Sequence, residues 1–268
     1  MSRRAGAAQP DSASLTGYAL VTGASAGLGA SFARRLAAEG RDLVLVARDT
    51  SRLEVTAAEL KQRYPITVEV LPADLSTEAG CAAVVERIST DDQPVDTLVN
   101  NAGFGLYQAF GKAPVERELA MLDLNVRAVL VLSHAAVGAM TRRGRGEILN
   151  VSSVAGFLPR GAAATYAASK AWVTSFTEGI ALLVKGTGVR VCAICPGFTH
   201  TEFHARANAD MSNTPSFMWL EADRVVADGL ADARAGKVVS VPSKRYRFLV
   251  TLVKLLPRPL VAKAMARR

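Results

Sequence analysis

The chain has 268 residues, half of them apolar and 21% charged, with a formal net charge of +8. This is an ordinary globular balance, enough for one substantial core, and an α/β domain is the first expectation. The excess charge is confined to residues 244–268, which hold eight basic and no acidic side chains. The rest of the chain is balanced, so a protein-wide affinity for nucleic acid is not indicated.

No run approaches the roughly 18 consecutive apolar residues of a membrane span. Residues 1–16 carry two arginines with no apolar stretch behind them, which reads as a disordered polar tail and not a signal peptide. Three cysteines, an odd number, fit a reducing compartment, and a cytoplasmic protein is expected. Cys192 and Cys195 lie three apart in VRVCAIC, a β-branched run in which they point to opposite faces and read as core residues.

In chain order, residues 18–21 form a short apolar run that leads into TGASAGLG at 22–29 and then an alanine-rich helical pattern through Glu39. A strand, a glycine-rich turn and a helix start favour a dinucleotide. Gly23, Gly27 and Gly29, with Ser25, Ala26 and Leu28 between them, let the backbone approach a pyrophosphate whose charge suits the helix N-terminus. The spacing is G-x-x-x-G-x-G and differs from the general G-x-G-x-x-G fingerprint. The next strand, 43–47, ends at Ala47-Arg48. NAD-binding folds place an acid near this point, whereas the 2′-phosphate of NADP calls for an arginine, so Arg48 favours NADP(H) and the adjacent Asp49 opposes it.

Helical and extended patterns then alternate: 51–63 helical, 66–71 extended, 77–88 helical, 97–99 extended. Alternation of this kind implies a parallel sheet with helices on both faces and ligands beyond the carboxyl ends of the strands. Asp74-Leu75 and Asn101-Ala102-Gly103 follow strands at that edge and suit adenine and ribose contacts. Residues 115–140 carry a long helical pattern with Asn125 inside it, and an asparagine in an apolar helix wants a reason. A strand at 147–151 ends at Ser152-Ser153. A helix from Tyr166 to about residue 184 puts Tyr166 and Lys170 on one face. A fixed ammonium beside the phenol lowers its pKa from about 10 by favouring the phenolate, which makes Tyr166 a usable acid, with Ser153 placed to hold a substrate oxygen. Residues 189–195 form the sixth strand, ended by Pro196-Gly197.

Taken together, TGASAGLG, the NNAG at 100–103, Asn125, Ser153 with Tyr166 and Lys170, and the PGFTHT at 196–201 resemble the short-chain dehydrogenase/reductase family, in order from about residue 18 to 242. Within it the chain is similar to the bacterial branch allied to long-chain 3-ketoacyl reductases and 17β-hydroxysteroid dehydrogenases. The resemblance implies a single Rossmann-like, doubly wound parallel sheet of about seven strands over residues 17–243, followed by a basic helical extension at 244–268. It implies Tyr166 as general acid, Ser153 polarising a carbonyl, Lys170 on the nicotinamide ribose, and Asn125 holding a water in a proton relay. Thr201, with Pro196 and Gly197, would meet the nicotinamide end. Ala47-Arg48 marks the NADP-preferring variants, and a homodimer or homotetramer through the Asn125 and Tyr166 helices is implied as well.

Beyond Thr201 the shared pattern ends. His200, Glu202 and His204 do not have the H-E-x-x-H order of a zinc helix, and no metal is expected. Met211, Phe217, Met218 and Trp219, with Phe104, Phe157 and Leu158, supply apolar surface for a hydrophobic carbonyl or alcohol substrate, or else pack the flap onto the body. Residues 246–256 read as one helix stopped by Pro257, with Arg247, Thr251 and Lys254 on a narrow polar stripe. That helix either covers the pocket or a subunit contact, or lies on an anionic membrane, at the inner face of the cell membrane, with Lys263, Arg267 and Arg268 adding attraction. Two activities compete: an NADPH-dependent reductase, and a catalytically silent NADP(H)-binding regulator of the same fold.

Overall fold

A computed structural model describes residues 15–159, 161–207, 209–212, 214–257 and 259–261, with Ala162 by its backbone alone. The expected tail at 1–16 thus lies almost wholly outside the described residues, as do Lys263, Arg267 and Arg268.

Short apolar runs become strands and the amphipathic runs between them become helices. The strands are β1 (Tyr18–Thr22), β2 (Leu43–Ala47), β3 (Val68–Pro72), β4 (Val95–Asn100), β5 (Gly146–Val151), β6 (Val189–Ile194) and β7 (Val239–Ser240). The helices are α1 (Gly27–Ala38), α2 (Thr50–Arg63), α3 (Glu78–Ser89), α4 (Val115–Leu122), α5 (Ala128–Arg143), α6 (Ala164–Leu183), α7 (Phe203–Arg206), α8 (Ala222–Arg234) and α9 (Lys244–Leu255).

All strand pairs are parallel, in the order β3-β2-β1-β4-β5-β6-β7. The winding reverses between β1 and β4, and a crevice opens there beyond the strand ends. Because side chains alternate across a strand, each strand feeds two cores. Ala19, Val21, Leu43, Leu45, Leu149 and Ile194 pack under α1, α2 and α8. Leu20, Val44, Val46, Leu98, Ile148 and Val191 pack under α3, α5 and α6. Burial on both faces explains why these strands read as continuous apolar runs. Cys192 and Cys195 fall in different cores, Cys192 with the α1 side and Cys195 beside Tyr246 and Val250 of α9.

Two features depart from the sequence reading. The long helical pattern continues to Arg143 and is interrupted by a π-helical turn, Asp123–Arg127, which carries Asn125. The whole run Val115–Arg143 is long and apolar enough, by length and composition, to cross a membrane. Here Leu132, Ala136 and Met140 of its second half are instead buried against the sheet. After residue 220 the chain adds α8 and β7; the sequence reading locates neither, although the resemblance implies a seventh strand.

Candidate active site

The glycine-rich turn follows β1 and opens α1. Gly23 and Gly27 hold positive φ angles of 66° and 55°, a region that glycine enters without a Cβ penalty. A Cβ on Gly29 would stand 2.1 Å from the Gly23 carbonyl oxygen, so this glycine keeps the turn closed from behind. Ala26 caps α1 without a side-chain hydrogen bond, and the first-turn N–H groups remain available to an anion. Thr22 stitches this turn to the loop after β4: its Oγ1 accepts from Asn101 N at 2.9 Å and Ala102 N at 3.0 Å. Asn101 Nδ2 donates back to Thr22 O at 2.8 Å.

Beyond β2, the Asp49 carboxylate accepts from Arg52 N at 3.1 Å and caps α2. Arg48 stays largely exposed, with Nη1 4.0 Å from Asp74 Oδ2. Asp74 accepts from Ser76 N at 3.0 Å and Ser76 Oγ at 2.6 Å. Burial raises the pKa of this carboxyl, but the Ser76 hydrogen bonds and the Arg48 charge outweigh it and hold the group below its ordinary value. A cavity of about 360 Å³ lies here, lined by Arg48, Ala47, Ala73, Leu75 and Ala102 among others. It shares Gly23, Ser25, Gly103 and Arg206 with a second cavity of about 540 Å³. A negatively charged group with a phosphate near Arg48 and a pyrophosphate at the α1 N-terminus fits this arrangement.

The larger cavity holds the chemistry. β5 delivers Ser153, whose Oγ accepts from Ala155 N at 3.1 Å and caps a 3-10 turn, Val154–Phe157. α6 presents Tyr166 and Lys170 one turn apart, both buried. Lys170 Nζ donates to Val151 O at 2.8 Å and sits 5.9 Å from the Tyr166 ring centroid. Burial disfavours its ammonium and lowers its pKa to about 8. Ser152 Oγ donates to Lys170 O at 2.7 Å and lies 2.8 Å from Thr174 Oγ1, which ties this turn of α6 to the end of β5.

Asn125 is fully buried. Its Oδ1 accepts from Phe104 N at 3.1 Å and its Nδ2 donates to Phe104 O at 2.9 Å. A Cβ on Gly103 would come 2.9 Å from Asn125 Oδ1 and 3.6 Å from Lys170 Nζ. The backbone at Gly103 therefore fits between these two polar groups only without a side chain.

The cavities bring together most of the residues singled out from the sequence. Gly23, Ser25, Ala26, Gly27, Leu28, Asn101, Gly103, Ser153, Tyr166, Lys170, Pro196, Gly197 and Thr201 line the larger one, and Arg48, Leu75 and Ala102 the smaller. Gly29, Asp74 and Asn125 are absent from both linings and act on their neighbours. Of the apolar set, Phe157, Leu158 and Met218 face the larger cavity. Phe104 instead packs beside Tyr166 in a buried cluster. His200 stacks on Trp219 with ring centroids 4.7 Å apart, and His204 meets the same ring edge-on at 5.2 Å.

Tyr107, Phe203 and Arg206 carry no sequence signal as lining residues, because each comes from loop or flap segments without a periodic pattern. The sequence also leaves the 246–256 helix between two placements, and α9 closes the cavity with Leu249, Val250 and Val253. Tyr246 fixes it there: its OH accepts from Phe198 N at 3.1 Å and donates to Met218 O at 2.8 Å.

Residues 17–212 match the family model described as short chain dehydrogenase. The chain belongs to the short-chain dehydrogenase family. Membership makes it an NAD(P)-dependent oxidoreductase. An uncharacterised oxidoreductase of Mycobacterium tuberculosis is 36% identical over 241 residues, covering 89% of this chain and 93% of that one. A short-chain dehydrogenase from Sphingobium yanoikuyae, solved in complex with NADPH, is 34% identical with a TM-score of 0.81, covering 90% of this chain and 97% of that one. The bulky-bulky ketone specific alcohol dehydrogenase from Comamonas testosteroni is 30% identical with a TM-score of 0.77, covering 90% and 95%.

Proposed function

We propose that this short-chain dehydrogenase is an NADPH-dependent reductase of a ketone or aldehyde, reversibly an alcohol, carried on a hydrophobic or acyl-chain molecule. The observation that carries the reading is the buried Lys170 ammonium beside the Tyr166 ring in a cavity walled by aromatic and aliphatic side chains. NADP(H) binding is supported by relatives solved with NADPH and NADP, and when bound it supplies or takes up the hydride.

Each side chain then has a task. The Gly23–Gly29 turn receives the pyrophosphate, Arg48 the 2′-phosphate, and Asp74 with Leu75 the adenine. Asn101, Ala102 and Gly103 border the ribose, while Pro196, Gly197 and Thr201 border the nicotinamide. Ser153 Oγ donates a hydrogen bond to the substrate carbonyl oxygen, and Tyr166 gives that oxygen its proton. Lys170 lowers the tyrosine pKa by favouring the phenolate, and Asn125 holds the water that resupplies the proton. The apolar walls exclude bulk water, so these dipoles act at low dielectric.

In this reading residues 17–243 form the catalytic domain and 244–268 a C-terminal extension whose α9 completes the cavity. The protein acts in the cytoplasm as a homodimer or homotetramer through α5 and α6, where Leu130, Leu182 and Leu183 are exposed. NADPH consumption against carbonyls from small ketones to long 3-oxoacyl thioesters and steroids identifies the substrate class. Tyr166→Phe abolishes that consumption and leaves NADPH binding nearly intact, while Ser153→Ala is less severe, costing a few kcal/mol of transition-state stabilisation. Unchanged turnover in Tyr166→Phe refutes the mechanism.

A further inference from the structure

α9 is apolar on two opposite faces. Tyr246, Val250 and Val253, at helical spacing, face the protein, where Tyr246 and Val250 are buried. Phe248, Leu252 and Leu255, at the same spacing, face outward at 69%, 45% and 77% exposure. A helix that only closed a pocket needs the first stripe and gains nothing from the second. Leu256 and Leu260, which follow the helix in sequence, are exposed as well, and Arg245 donates to the carbonyl of Phe217, itself exposed. Exposed apolar surface gathered in this way marks a contact site.

The charge around the stripe selects the occupant. Lys244, Arg245, Arg247 and Lys254 edge it, Lys254 reaching back over the Phe157 ring at 4.8 Å, and no acidic residue occurs in 244–268. Two copies meeting face to face would set these cations against one another, which disfavours self-association. An anionic, apolar layer satisfies both the stripe and its rim. We propose that the outward face of α9 docks onto an anionic lipid bilayer. Because its inner face is a wall of the substrate cavity, docking holds that cavity within one helix diameter of the membrane. Entry of lipid-borne substrate past α9 rests on the reductase reading above; the docking itself does not.

Removing α9 would be a poor test, since it would also strip the wall from the cavity and leave Phe198 N and Met218 O without the Tyr246 hydroxyl. Substitutions on the outer stripe avoid this. The full chain is mixed with vesicles of phosphatidylcholine alone, or with about one third phosphatidylglycerol, and sedimented at low and raised salt. Wild type is expected to sediment with the anionic vesicles only and to be released by salt. The double variant Phe248→Ser, Leu255→Ser is expected to bind at least about tenfold more weakly, and Lys244→Glu, Arg247→Glu to do likewise. Both should keep the wild-type melting temperature and NADPH affinity. Wild type that stays in the supernatant at low salt overturns the proposal, as do variants that sediment like wild type. So does a wild-type oligomer that the Phe248→Ser, Leu255→Ser change converts to monomer in sedimentation velocity, which would assign the face to a second copy. The readout is sedimentation and not turnover, so a negative result leaves the reductase reading standing.

Discussion

Lys170 carries a measurable conflict between folding and charge. Its ammonium is buried at the end of β5, where it donates to Val151 O, and its pKa falls to about 8 from an ordinary 10.5. The folded-state value lies below the unfolded one. Below about pH 8 both states hold the proton and the folded cofactor-free protein bears the full desolvation cost. Above about pH 10.5 both are neutral and the cost has gone, so stability rises with pH between the two. Integrating that difference gives a gain of about 2 kcal/mol between about pH 7 and about pH 9.5.

Lys170→Met isolates this contribution. The substitution also leaves the Val151 carbonyl without its donor, which costs about 1–3 kcal/mol at any pH. That loss and the titration of groups that Lys170 does not bias cancel when the proteins with and without Lys170 are compared at two pH values, and placing both in a Tyr166→Phe background removes the phenol that it does bias. Urea unfolding at the two pH values should therefore show the protein with Lys170 gaining about 2 kcal/mol on the one without it in the alkaline sample. A difference that stays flat with pH would show that the ammonium is solvated in the folded protein and refute the burial argument.

Arg48→Ala should weaken NADPH binding by about one to two orders of magnitude, the worth of a charge-assisted contact, and leave NADH binding nearly unchanged. A fluorescence titration with both cofactors decides it, and equal loss for the two would remove Arg48 from the 2′-phosphate. Burial pushes the Cys192 and Cys195 thiols up to about 12 and about 11, so neither should react with a thiol reagent at about pH 8 until denaturant is added. Fast modification of the native protein would contradict their placement in the two cores.

Much of the sheet was legible because each strand is a short apolar run bounded by a turn. β2 is found at 43–47 as read, and β6 ends one residue earlier than expected. The extended pattern begins at Ile66 whereas β3 starts at Val68, because an apolar residue packing beside a strand looks the same in sequence as one within it. β7 has two residues and two register partners in β6, too few for any periodic signal. Asn125 stands out in the sequence as a polar residue in an apolar helix. The π-helical turn that aims it at Phe104 is set by the packing of the loop after β4, which no local pattern encodes. The acid-base and glycine positions were visible because their chemistry demands particular residue types at fixed spacing. Part of the cavity wall was legible too, in Phe157, Leu158, Met218 and one of the two placements open to the 246–256 helix; Tyr107, Phe203 and Arg206 were not, since they share no spacing and meet only when the chain folds back.

The place of Tyr246 also orders events in time. β1 to β4 lie far ahead of α9 in the chain, so the nascent polypeptide can form those strands and the glycine-rich turn before this residue exists. Until it arrives, Phe198 N and Met218 O lack the hydroxyl that joins them, and the slot beside Gly197, where the ring will lie 2.1 Å from the position of an added Cβ, stands open. Cofactor affinity should therefore mature earlier in synthesis than a sealed substrate chamber, and an arrested chain lacking α9 would be a nucleotide binder with an unfinished room.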